Sequence, residues 1–295
     1  MKPALEPHHH QDSPEWHAYR GSRGNASEVA ALMDCSPWFP RTPYELWLVK
    51  TGRASVSSTA AMRRGSRLEP FARAFAERLH DEIYEPQVVA RGRISASLDG
   101  LSFDGRVVLE IKCPQQGRES ATWIAVSEDG RPPEHYWWQV QQQLYCSGAE
   151  RARFVVCHAE NDEIVDAAEC TVLPDLEAHA AIASAWEAFF PYLDADTAPP
   201  QGERDVYARN DAEWRDAVAQ WKESKKWLDA ARAAEAEARQ ALIQLAGGQS
   251  TEGAGIRLKR YWKSGEIDWR KATAGMDLEP YRKAGGWHYR ISEQD

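Results

Sequence analysis

Cysteine is scarce in this chain and nowhere clustered. Five occur, at positions 35, 113, 146, 157 and 170, without a C-x-x-C pair. That spacing excludes the four grouped thiolates an iron–sulfur cluster needs. An odd, unpaired set also points to a reducing compartment, with all five as thiols and most of them buried. Long apolar runs are missing: none approaches the roughly 20 residues that span a bilayer, so no membrane role is expected. Residues 1–10 hold no apolar stretch and no small-residue cleavage site, so they are not read as a secretory signal. With His8-His9-His10 among them, they are expected to belong to a disordered leader over 1–12. Basic excess is missing too. The chain carries 45 Asp and Glu against 36 Lys and Arg, a net charge of −9. Taken alone, this argues against a polyanionic partner. The charge is uneven, however. Acidic residues crowd 160–240 and arginines cluster in 18–24 and 63–78, so a locally positive lining can coexist with an acidic exterior.

What is present is the composition of a globular protein, 43% hydrophobic and 27% charged. Asn25 or Ser27 caps a short helix through Met33. Thr42-Pro43-Tyr44-Glu45 is a capping box with proline in the first turn and predicts a helix to about Lys50. After a Ser-rich loop over 52–59, a helical pattern runs from Ala60 to His80. Pro70 lies inside it and either opens a new helix or bends one. Residues 86–98 and 106–113 read as strands joined at Asp104-Gly105, a two-residue hairpin signal. A loop with a short helix near 122–126 follows, then a helix over 134–146. Residues 153–158 and 163–172 form a second hairpin around Asn161-Asp162. A helix over 175–193 carries Ile182, Trp186, Phe189 and Phe190 on one side. This order predicts an α/β fold over 13–198, a mixed central sheet flanked by helices. Pro199-Pro200 marks the start of a C-terminal extension, 199–295. It opens with a helix over 211–246 free of Gly and Pro, roughly 50 Å long. Trp214, Trp221 and Leu228 recur there every seven residues with Val218 between them. The core, a sister subunit or a partner must cover that stripe, the core being the default. A small α/β tail completes the extension and carries no recognisable chemistry.

Chemistry concentrates in Ser97-Leu98-Asp99-Gly100 and Val108-Leu109-Glu110-Ile111-Lys112. Side chains alternate along a strand, so Glu110 and Lys112 share one face, and closing the hairpin brings Asp99 toward it. The plain alternative is a surface hairpin with its charges in water. Against it, Val107-Val108-Leu109 reads as a buried central strand, where a charged pair is costly unless it binds an ion. Two carboxylates and an ammonium at a sheet edge make a divalent-metal site with a group to orient or deprotonate water. That is the equipment for cutting a phosphodiester. An isolated D…E-x-K pattern is weak. Here Gly65-Ser66-Arg67-Leu68-Glu69-Pro70 lies upstream and Tyr136-Trp137-Trp138-Gln139-Val140-Gln141 downstream, with Trp16, Arg20 and Ala26-Ser27-Glu28 near the start. In this order and at these separations, over about residues 13–160, the chain resembles the YqaJ-type viral recombinases. That family includes the phage lambda-type exonucleases of the PD-(D/E)XK nuclease fold.

The resemblance implies a restriction-endonuclease-like core and a set of roles. Asp99, Glu110 and the backbone carbonyl of Ile111 would hold Mg²⁺, with Glu69 as the third carboxylate; Mn²⁺ can substitute, and two ions are expected. Lys112 would position or activate the attacking water, and Gln139 would lie near the active site. Gly65, one turn before Glu69 on the same face, would let backbone or substrate approach. Gln141 is expected to face elsewhere, and Gln142 and Gln143 to lie on the surface. Arg20, Ser27 and Ser97 would build a 5′-phosphate pocket, with Arg23 competing for the place of Arg20. Leu98 departs from the family's common Ser-Pro-Asp-Gly; proline there only stiffens the turn. The implied activity is a Mg²⁺-dependent, processive 5′→3′ exonuclease on double-stranded DNA ends, leaving 3′ single-stranded tails for phage-type homologous recombination. The implied partners are a single-strand annealing protein and sister subunits of a toroidal trimer, in the cytoplasm of a bacterial host. The same residues admit an endonuclease or structure-specific nuclease, or a catalytically inactive DNA-binding or assembly module; the intact set argues against the last. Asp104 is read as structural. Most of the 13 tryptophans are read as core or interface residues, with stacking on unpaired bases the alternative.

Overall fold

The computed structural model describes residues 4–5, 19–207, 209, 211–263, 265–266, 268–273, 275–276, 281 and 283. They form two compact units that divide between Ala208 and Arg209. The division falls after the Pro199-Pro200 boundary expected from sequence, because the intervening segment is tied to the first unit. The buried Thr42 hydroxyl donates to Asp205, and Arg204 donates to the Asp34 carboxylate at 2.6 Å and the Ser36 carbonyl at 2.8 Å.

The first unit is built on a mixed sheet. Its strands among the described residues are β1 (Ala4–Leu5), β2 (Gly24–Asn25), β3 (Tyr84–Arg91), β4 (Ile94–Ser102), β5 (Val107–Lys112), β6 (Arg151–Glu160) and β7 (Glu163–Val172). They run in the order β1-β3-β4-β5-β6-β7, with β2 beside β4. The β5–β6 and β2–β4 pairs are parallel and the others antiparallel. Ala4 and Leu5, placed by sequence in a disordered leader, pair with β3; the rest of that leader lies outside the described residues.

Helices cover both faces, which is why β5 is apolar on both sides. Ala72 and Ala76 of α3 (Ala60–His80) pack on Val107, Leu109, Ile111, Val155 and Cys157. On the other face Val140 and Leu144 of α5 (Glu134–Ser147) and Trp186 of α6 (Leu176–Asp194) pack with Ile94, Val108 and Phe154. Other helices of this unit among the described residues include α1 (Val29–Leu32), α2 (Pro43–Lys50) and α4 (Ala121–Asp129). Thr42 caps α2 as its sequence predicts, accepting from the Glu45 N–H at 3.1 Å. Helix α3 is a single helix that contains Pro70. Cys146, Cys157 and Cys170 are buried, and all five cysteines are thiols.

Two features of β4 position the site. The first is its turn, which is longer than a two-residue hairpin. The Ser102 hydroxyl accepts the N–H groups of Arg106 and Val107 and donates to Asp104, so Asp104 is structural. The second is a β-bulge. The pairs Glu85–Leu101 and Gln87–Leu98 put three steps of β4 against two of β3, an extra residue in the stretch that holds Asp99 and Gly100. Leu98 and Leu101 therefore both reach the same core, although a regular strand would place them on opposite faces.

In the second unit, α7 (Ala212–Leu245) starts at Asp211, whose carboxylate accepts the Trp214 N–H at 3.0 Å. The helix buries none of its residues, and Trp214, Trp227 and Leu228 are exposed. Strands β8 (Thr251–Gly253) and β9 (Ile256–Leu258) form a short hairpin. Most of the expected tail over 281–291 lies outside the described residues. Among the described residues no helix is long and apolar enough to cross a membrane.

Candidate active site

The bulge aims Asp99 across to β5. Regular pairing of β4 with β5 is confined to Gly100–Leu109 and Leu101–Val108. Beyond it the Asp99 carboxylate, in place of the main chain, accepts the Ile111 N–H at 2.7 Å. Glu110 is 1% exposed, yet every bond it accepts comes from a strong donor. The Lys112 ammonium and Gln139 Nε2 (2.7 Å) donate to one oxygen, and Gln143 Nε2 (2.5 Å) donates to the other. Burial alone would favour the neutral amine of Lys112. Glu110, Tyr136 and Asp99 outweigh it and hold the group above the usual ammonium range. Lys112 also sits 4.7 Å over the Tyr136 ring. Burial, and after it the charges of Glu110 and Glu69, push the Asp99 carboxyl well above the usual carboxylate range.

Glu69 comes from α3. Its carboxylate accepts from Arg73 Nη2 at 2.6 Å, and Arg73 Nε donates to the Asp99 carbonyl at 2.7 Å. Arg73 thus ties the third carboxylate to the bulge. Among the described residues no three His, Cys, Asp or Glu side chains converge closely enough to chelate a metal by themselves. Asp99 and Glu110 would be the core donors, with Glu69 drawn to Arg73. The donor chemistry still fits Mg²⁺, which takes oxygen ligands and keeps several waters. Three carboxylates, Asp99, Glu110 and Glu69, face two cations here, Lys112 and Arg73.

A second cluster lies where β2 meets β4. Arg20 Nη2 donates to the Ser27 hydroxyl at 2.9 Å. Arg23 is turned elsewhere, donating to the Gly92 carbonyl at 2.8 Å and stacking on Tyr19, so it is Arg20 that accompanies Ser27. Lys50, with 2% of its side chain exposed, braces the loop by donating to the carbonyls of Arg20 (2.9 Å) and Arg23 (2.6 Å) and to Glu28 (2.8 Å). Burial alone would raise Glu28; Lys50 and Arg20 hold it below the usual carboxylate range. Asn25 is paired with Ser95 in parallel register, and the two side chains bond at 3.1 Å. Ser97, exposed on β4, lies two residues beyond Ser95 and two before Asp99, so β4 runs from one cluster to the other.

The glutamines correct the sequence expectation. Gln142 and Gln143 are fully buried, not on the surface. Gln142 donates to the carbonyls of Gly24 and Ser95, each at 2.9 Å, and accepts from the Trp186 indole at 2.8 Å. Gln141 does face elsewhere, bonding the Leu173 carbonyl and the Asp175 N–H. Gln143 and Arg73 are the site residues that sequence reasoning missed.

The sequence of this site matches a described family: the YqaJ-like viral recombinase domain aligns with residues 15–150. Over these residues the chain is similar to that domain. The uncharacterized protein YqaJ of Bacillus subtilis (strain 168) is 30% identical over 171 residues, 52% of this chain and 51% of that protein. The chain thus spans about half the length of this curated relative. The domain also has an exonuclease fold. A crystal structure of LHK-Exo in complex with dAMP superposes with a TM-score of 0.51 at 30% identity, covering 62% of this chain and 94% of that one. A crystal structure of LHK-Exo, an alkaline exonuclease from Laribacter hongkongensis, gives 0.50 at 29% over the same shares.

Proposed function

We propose that the protein is a Mg²⁺-dependent DNA exonuclease. It degrades one strand of a duplex end from the 5′ terminus and leaves a 3′ single-stranded tail for phage-type recombination. The observation that carries this reading is the single constellation of Asp99, Glu110, Lys112, Gln139 and Glu69 around one bulged hairpin, joined by β4 to the Arg20–Ser27 cluster. Asp99, Glu110 and the Ile111 carbonyl hold the cation in this reading, with Glu69 beside them. Bound Mg²⁺, or Mn²⁺ in its place, supplies charge neutralisation of the phosphoryl and leaving oxygens and a more acidic water, two ions together being the efficient form.

The chain's own groups do the rest. Lys112, kept as an ammonium by Glu110, donates toward the attacking water and the developing negative charge. Gln139 and Gln143 fix the Glu110 carboxylate so that it needs no reorganisation. Arg20 and Ser27 hold a terminal phosphate. From Ser97 to Asp99 is two strand residues, roughly 7 Å. A phosphate held beside Ser97 therefore places the next phosphodiester near Asp99, which gives digestion from the 5′ end. The complex of LHK-Exo with dAMP supports a mononucleotide product. A single-strand annealing protein and sister subunits, as a trimer, are the proposed partners.

The test is polarity. Duplexes labelled at either end, with 5′-phosphate or 5′-hydroxyl, are digested by wild type and Arg20→Ala. The expected result is label loss from the 5′ end first, a preference for 5′-phosphate, and loss of that preference in the variant. Digestion from the 3′ end contradicts the reading.

A further inference from the structure

Helix α3 carries two features that the chain's own packing leaves unused. Gly65 lies inside the helix, where glycine is among the poorest formers. A Cβ placed there meets no heavy atom within 4 Å, and the backbone is not in the left-handed region. Neither a neighbour nor a torsion calls for glycine. The residue stands one turn before Glu69 and on the same face, the face from which Arg73, bonded to Glu69, reaches the Asp99 carbonyl.

Arg64 is the second feature. It stands one turn before Leu68 and continues the stripe of buried Leu68, Ala72 and Ala76 toward the N-terminus of the helix. Its Nη2 reaches only the Ala159 carbonyl, at 3.4 Å, and its buried Nε has no partner. Ala159 lies on β6 three residues past Val156, the register partner of Lys112, so Arg64 sits just beyond the Lys112 end of β5. Its helix neighbours are committed: Arg67 to Asp162 and Arg73 to Glu69. Among the described residues Arg64 forms no such ion pair, which leaves most of its five N–H donors available.

We propose that the substrate strand crosses α3 at Arg64–Gly65. The missing Cβ of Gly65 lets the sugar–phosphate backbone lie against the helix, and the Arg64 guanidinium holds a phosphodiester oxygen. Such contacts position a strand without reading its bases. The inference rests on the proposed nuclease activity and adds the path of the strand.

The full-length protein and the variants Gly65→Ala, Arg64→Gln and Arg64→Lys are compared by thermal unfolding and by kcat and KM on linear 5′-phosphorylated duplex at several salt concentrations. Gly65→Ala is expected to melt at or above the wild-type temperature, because alanine is the better helix former, and yet to raise KM about tenfold. Arg64→Gln is expected to raise KM about tenfold, with little change in kcat, and to lower the salt slope by about one, with Arg64→Lys recovering part. Wild-type KM in both Gly65→Ala and Arg64→Gln, with wild type digesting DNA, overturns the strand path alone. Absence of digestion by wild type overturns the nuclease reading and this inference with it.

Discussion

Glu110 is buried and held by Lys112, Gln139 and Gln143. A hydrogen bond to a buried charge contributes about 1.5–3 kcal/mol. Gln143→Leu is therefore expected to cut kcat by about 10- to 100-fold while the far-ultraviolet circular dichroism spectrum stays as in wild type; a wild-type rate would remove Gln143 from the site. Lys50 offers a second residue-level prediction. It is the ammonium for Glu28 and the brace of the Arg20–Arg23 loop. Lys50→Ala removes the shorter ion pair of the half-buried Glu28, which keeps Arg20 at 3.7 Å and the Asn25 N–H groups, and is expected to cost about 1.5–3 kcal/mol in denaturant unfolding, with part returned by adding Glu28→Gln. Of the site, Glu69, Asp99, Glu110, Lys112 and Gln139 were legible as a spaced motif. Gln143 was not, although it sits one turn from Gln139, because glutamine is a common surface helix residue and only its partner on β5 shows the difference. Arg73 was missed for a related reason: an Arg four residues after a Glu is an ordinary exposed helix pair.

At the scale of elements, periodicity and capping located the helices and most of the sheet, since each element buries a stripe of its own period; residues 86–98, read as one strand, are instead divided between the antiparallel β3 and β4 by a turn at Gly92, where φ is +64°. The bulge was not legible, because it arises from register between β3 and β4 rather than from either strand alone. Its one local signal is Gly100 inside a strand, where a Cβ would stand 2.6 Å from that of Tyr84. The short strand β2 was likewise invisible, being two residues long. Its position depends on Gly24, over which the Trp186 ring packs so closely that a Cβ would meet it at 2.4 Å. Gly24→Ala is expected to destabilise the fold by about 1–3 kcal/mol through overpacking, read as a lower melting temperature. An unchanged melting temperature would contradict this account of the Gln142–Trp186–Gly24 junction.

At the scale of the molecule, the two units divide past the proline pair because Arg204 and Asp205 belong to the first. Those bonds join residues far apart in sequence, so composition could mark the Pro199-Pro200 stretch but not the contacts beyond it. A chain ending at Ala208 is expected to unfold at a higher temperature than one ending at Ala198, by the equivalent of about 1.5–3 kcal/mol for the lost carboxylate bond; equal melting would place the boundary at the prolines. The central claim is that the first unit houses a metal-dependent exonuclease. It is tested most directly by incubating linear 5′-phosphorylated duplex and closed circular DNA with wild type and Lys112→Ala, in Mg²⁺ and in chelator. The account predicts loss of one strand from the linear DNA only, abolished by chelator and by the substitution. Cutting of the circle, or an intact linear duplex that is nevertheless bound, would contradict it.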